Sequence, residues 1–160
     1  MIESNESINS IDTHKILATL PIMPYQNIAC FGAEQGLFPI LFGKFVFDGK
    51  VIAYESEKKQ INITKNLLKK INLGNVELNQ IPNEKKINKI LIDGIFVTNW
   101  DLYKGIINDF ENHLNNNTWV SILSDKDQST EFIKIFKNLK KDSEIHINQK
   151  YKLYNYRIYK

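Results

Sequence analysis

Short apolar runs alternate along the chain with stretches of helical spacing. Asn27–Phe31 (NIACF), Lys50–Glu55 (KVIAYE), Val76–Gln80, a segment within 89–97 and residues 119–123 each read as a buried strand. Helices are predicted between them. A first covers 11–20 and is closed by Pro21 and Pro24. Leu37, Ile40, Leu41 and Phe45 mark a second. Ile61, Thr64, Leu68 and Ile71 mark a third, with Ser56 as its cap and Gly74 as its stop. Leu102, Ile106, Phe110 and Leu114 give a fourth, ended by Asn115, Asn116 and Asn117. Phe132, Ile135, Phe136 and Leu139 give a fifth. The tail differs: 144–148 and 152–159 alternate polar with apolar residues, as two strands joined near Gln149 and Lys150 would.

Strands alternating with helices predict a mostly parallel sheet covered on both faces, and the closing pair predicts an antiparallel edge. The expected fold is a three-layer α/β sandwich of Rossmann-like type. Residues 1–10 are a polar segment, 11–160 a single domain, and the 160-residue length suits one core. No apolar run is long enough for a membrane span. The polar start lacks a secretory signal, and Cys30 has no partner for a disulfide, so a reduced, cytoplasmic protein is expected. No Cys/His grouping has metal-ligand spacing. The net charge is +3 and Arg157 is the single arginine, so nucleic acid is not an expected partner. Ile, Lys and Asn exceed a third of the residues, which lowers the information in any one asparagine or lysine.

Ligands of open α/β sheets bind outside the carboxyl ends of the strands, where strand order reverses. That places Gly32, Ala33, Glu34, Gln35 and Gly36, the turn after the first strand, at the candidate site. Glu55 ends the second strand, 23 residues after Gly32. A glycine turn entering a helix, followed at this distance by an acid, suits a nucleoside-type ligand whose ribose hydroxyls the acid accepts. Cys30 reads as a buried small hydrophobe, and His14, His113 and His146 as surface residues. Asp93 beside Gly94 is a weak candidate base. Trp119 reads as core, and Tyr151, Tyr154, Tyr156 and Tyr159 as β-formers in an edge hairpin.

Residues 28–76 resemble the cofactor half of class I S-adenosylmethionine-dependent methyltransferases, in particular the small bacterial ubiquinone/menaquinone-methyltransferase type. The resemblance rests on the glycine turn and on Asp48-Gly49-Lys50-Val51-Ile52-Ala53-Tyr54-Glu55. Asn72-Leu73-Gly74-Asn75-Val76-Glu77 and Ile92-Asp93-Gly94-Ile95-Phe96-Val97 extend it more weakly. It implies a seven-stranded sheet with an antiparallel last strand, S-adenosylmethionine as cofactor, and a small-molecule methyl acceptor. It implies cofactor binding by Gly32, Ala33, Glu34, Gly36, Glu55 and Ser56, adenine near residues 80–84, and an acceptor contact at Asn99. It assigns no catalytic residue. Two positions depart from the family pattern: Cys30 replaces the strand-one acid, and Glu34 replaces the middle glycine. They carry an alternative expectation, a non-catalytic binding or oligomerising module on the same fold. Dinucleotide binding is disfavoured, because Glu34 would face the pyrophosphate.

Overall fold

The computed structural model describes residues 11–81 and 90–159. The polar segment 1–10 and most of the segment expected near the adenine, 80–84, lie outside the described residues. The chain forms strands β1 (Asn27–Phe31), β2 (Lys50–Glu55), β3 (Val76–Gln80), β4 (Ile92–Val97), β5 (Leu114–Ser124), β6 (Leu139–His146) and β7 (Lys152–Ile158). Its α-helices are α1 (Thr13–Thr19), α2 (Leu37–Phe45), α3 (Lys58–Lys70), α4 (Trp100–Ile107) and the single turn α5 (Ser129–Phe132). Short 3-10 segments occupy Glu34–Gly36 and Asn108–His113.

The seven strands form one sheet in the order β3-β2-β1-β4-β5-β7-β6. The first five are parallel, whereas β7 runs antiparallel to both β5 and β6. Strand order reverses between β1 and β4. The expected Rossmann-like sandwich is therefore the observed one.

Alternation along β1 sorts its side chains between two cores, because successive residues of a strand point to opposite faces. Ile28 and Cys30 join Ile16, Phe38, Phe42, Phe96 and Trp119 under α1 and α2. Ala29 and Phe31 join Tyr54, Trp100, Tyr103, Phe110 and Phe132 under α4. The Phe31 ring stacks on Tyr54 at 5.1 Å and meets Phe110 edge-on at 5.5 Å.

Strands β1, β2 and β3 have the expected bounds, but several helix readings need correction. The cap of α3 is Glu57, without a side-chain hydrogen bond, so Ser56 does not cap it. Its stop is Asn72, left-handed at φ 55, and a Cβ at Gly74 would touch nothing. The fourth helix ends at Ile107 and buries a different face: Leu102 is exposed, while Trp100, Tyr103 and Ile107 are buried. Phe110 and Leu114 are buried as expected, but in the 3-10 segment and at the start of β5. Two sets of residues there satisfy helical spacing, and the larger, aromatic set takes the core. The fifth helix is one turn only. Asn138, at φ 60, breaks the chain before Leu139, which opens β6 instead.

Candidate functional site

The turn after β1 lies at the point where strand order reverses. Gly32 has φ 104, and its N–H donates to the Tyr54 carbonyl at 2.9 Å. Glu34 (φ 44), Gln35 (φ 57) and Gly36 (φ 90) are all left-handed. Glu34 thus adopts a backbone conformation that favours glycine, although it is not one. Each such non-glycine residue costs about 1–2 kcal/mol. The turn is held by the Gln35 N–H donating to Gln60 Oε1 at 2.7 Å, and by packing of Gly36 against Leu67 and Thr64 of α3. Backbone strain that its surroundings hold in place is a mark of functional sites.

Glu55 ends β2 and is buried, at 6% exposure. Its Oε1 accepts the Ala33 N–H at 3.0 Å. Its Oε2 accepts the N–H groups of Ser56 at 2.8 Å and Glu57 at 2.9 Å, and the Tyr103 hydroxyl at 3.1 Å. These donors make burial of the carboxylate tolerable. They also tie β2 to the β1 turn through one side chain. Burial first, and then the Glu55 charge, push the Tyr103 phenol well above its usual pKa, so it remains a donor.

Two cavities of about 270 Å³ each open at this edge of the sheet. The first is lined by Gly32, Glu34, Glu55, Ser56, Glu57 and Tyr103, among others. The second is lined by Thr98, Asp101, Ser124, Asp125, Lys126 and Tyr151, among others. Glu34 and Asn99 line both, so the cavities are two lobes meeting at those residues. Burial raises the pKa of Glu34, and the charges of Glu55 and Glu57 add to the rise, against a hydrogen bond from Thr98. Asn99 caps α4, accepting the Leu102 N–H at 3.3 Å.

The sequence candidates fall into two groups. Gly32, Glu34, Glu55, Ser56 and Asn99 line the cleft. Ala33 is fully buried beneath it, joined by its N–H to Glu55, and Gly36 is buried against α3. Cys30 is fully buried, and burial raises its thiol pKa far from the thiolate range. Asp93 lies at the opposite, amino end of β4, where it accepts the Asn27 N–H at 2.8 Å and an amide hydrogen of Asn115. It does not face the cleft. Tyr151, Tyr154 and Tyr156 are buried, which leaves Tyr159 alone of the four as an exposed ring. Trp119 is core, with Nε1 donating to Gln26 Oε1 at 3.3 Å. Sequence reasoning missed Tyr103, Gln60 and the polar residues after β5. Tyr103 sits one helical turn beyond the flagged Asn99, which was the available signal.

The chain shares its architecture with solved structures over nearly its whole length. A SAM-dependent methyltransferase from Aquifex aeolicus superposes with a TM-score of 0.74 at 14% identity, covering 98% of this chain and 97% of that one. The fold is that of the S-adenosylmethionine-dependent methyltransferases. A precorrin-6y C5,15-methyltransferase from Geobacter metallireducens matches this fold with a TM-score of 0.71 at 13% identity, covering 90% and 86% of the two chains. A SAM-dependent O-methyltransferase from Thermotoga maritima gives 0.74 at 15% identity, covering 93% and 65%. No family model and no curated protein matches the sequence. Among the described residues no helix is long and apolar enough to cross a membrane.

Proposed function

We propose that the protein transfers a methyl group from S-adenosylmethionine to a small, polar acceptor molecule, as a single cytoplasmic domain over residues 11–160. The observation that carries this reading is the two-lobed cleft at the strand-order reversal, with Glu55 in one lobe and Glu34 and Asn99 where the lobes meet. The first lobe fits the cofactor's chemistry. Glu55 accepts ribose hydroxyls, Ser56 flanks it, and the turn containing Gly32, Ala33, Glu34 and Gly36 lets backbone approach the methionine end. Among the described residues, the lining of this lobe includes three carboxylates, Glu34, Glu55 and Glu57, and no lysine, arginine or histidine. Such a wall suits a sulfonium or ammonium and repels the pyrophosphate of a dinucleotide.

The cofactor brings an activated methyl group, so the chain's task is chiefly to hold two molecules in line. The second lobe, with Thr98, Asn99, Asp101, Ser124 and Lys126, offers donors and acceptors of both signs for a polar acceptor. Glu34 stands at the junction, where a carboxylate favours a positive sulfur over the neutral thioether left after transfer.

Calorimetric titration with S-adenosylmethionine and S-adenosylhomocysteine tests the reading. Micromolar binding is expected, weakened at least about tenfold in Glu55→Ala, since hydrogen bonds to a charged acceptor are lost. A folded protein that binds neither compound at millimolar concentration would overturn it. The buried Cys30, which offers no charge to a cofactor amino group, would then favour the non-catalytic module.

A further inference from the structure

We propose that Tyr103 is a specificity-determining residue that competes with the ligand's ribose diol for the Glu55 carboxylate. This inference rests on the cofactor reading above. A carboxylate presents about four acceptor positions. Among the described residues four donors meet it: the Ala33 N–H on Oε1, and the Ser56 N–H, Glu57 N–H and Tyr103 hydroxyl on Oε2. Oε2, with three donors, is crowded; Oε1, with one, has room.

A ribose presents two neighbouring hydroxyls, and both need an acceptor. Oε1 can take one. The second needs a place on Oε2, and three donors already hold it. Two of those are backbone N–H groups at the entry to α3, fixed by the course of the chain. The third is a side-chain hydroxyl that lines the same lobe and turns about a single bond. Tyr103 is therefore the donor that gives way. Its ring stays where it is, 1% exposed and 5.9 Å from the Phe31 ring centroid. The released hydroxyl keeps a polar neighbour, because Ser56 lines the same lobe.

Binding a diol at Glu55 is then an exchange of one hydroxyl for another, which yields less than filling an open acceptor. Removing the phenolic oxygen should strengthen the binding of a ribose diol and leave a ligand without the diol unaffected. A merely structural role for Tyr103 predicts the reverse, or equal effects on both ligands.

The experiment is calorimetry on the full chain and on Tyr103→Phe, with S-adenosylhomocysteine and with its 2′,3′-dideoxy analogue. The phenylalanine keeps the ring contact with Phe31, and circular dichroism confirms the fold of each sample. The expected result is that Tyr103→Phe binds S-adenosylhomocysteine about three- to tenfold more tightly, the worth of one net hydrogen bond, with the dideoxy affinity unchanged. Binding by the variant where the parent shows none would support the proposal equally. Equal or weaker binding of S-adenosylhomocysteine by the variant would overturn it while leaving the cofactor reading intact, provided the parent binds. Equal tightening toward both ligands would also overturn it, since the effect would bypass the diol. Failure of both proteins to bind at millimolar concentration would overturn the cofactor reading and this inference together.

Discussion

Gly32 and Thr98 are matched across the β1–β4 boundary. The Thr98 hydroxyl donates to the Phe31 carbonyl at 3.1 Å, and its oxygen fills the space that a side chain at residue 32 would enter. The same oxygen lies 3.4 Å from Glu34 Oε1. One hydroxyl thus anchors the end of β1, excludes any residue but glycine at position 32, and steadies the carboxylate at the junction of the lobes.

Gly32→Ala should therefore be among the costlier changes in the turn. It combines a φ of 104 with overlap onto Thr98. We expect a loss of about 3 kcal/mol, at the upper end of common single-substitution effects. Urea denaturation of Gly32→Ala, Thr98→Ala and the double variant separates the two causes. The double variant should recover the overlap and keep the backbone strain. Full recovery would show that strain is absent.

Glu34 makes an opposite prediction, because the protein is more stable without its charge. Its carboxyl is held above the usual range, first by burial and then by Glu55 and Glu57, so ionising it costs the folded state free energy. That cost is fully present above the folded pKa and absent below the unfolded one. Glu34→Gln should thus melt higher than the parent at pH 7, with the gap closing as pH falls through the raised pKa. Glu34→Gly should gain a further ~1 kcal/mol from relief of the left-handed backbone. Thermal melts at pH 4 and pH 7 check both. A gap that widens in acid would refute the assignment.

The parallel half of the fold was legible because short apolar runs and glycine turns are local signals. Strands β1, β2 and β3 announced themselves in five or six residues each. The place of Glu55 beside the β1 turn was legible for a related reason, since it depends on its distance from Gly32 along a simple βαβ unit. The C-terminal third was harder to read. Phe132, Ile135, Phe136 and Leu139 fit a helix, but what decided their structure was Asn138 in a left-handed turn and the pairing of Leu139 with Ile158, a contact far along the chain. Tyr103 was hidden differently. Its hydroxyl matters only because α4 brings it back over β2, 48 residues from Glu55.

Glu55 should contribute to stability as well as to binding. Glutamine at this position keeps one acceptor oxygen and sets an N–H₂ group against backbone donors. With the Ala33, Ser56 and Glu57 N–H groups all resting on the carboxylate, Glu55→Gln should cost about 2 kcal/mol. Guanidinium titration measures it. A neutral result would mean that these N–H groups find water instead and that the carboxylate is retained for ligand alone.

Asp93 provides the complementary case, a carboxylate held by backbone and side-chain donors away from the cleft. It joins the start of β1 to the start of β5, accepting from the Asn27 backbone and from the Asn115 side chain. It does so at the amino ends of the strands, whereas Glu34, Glu55 and Asn99 gather at the carboxyl ends. Asp93→Ala leaves a part-buried backbone donor unpaired and should cost about 1–3 kcal/mol. Its affinity for S-adenosylhomocysteine should match the parent's within twofold at a temperature where both are folded. Chemical denaturation and calorimetry on the same preparation give the two numbers. A variant that keeps its stability and loses its ligand would move the site to the other end of the sheet, and the roles assigned to Glu55 and Glu34 would fall with it.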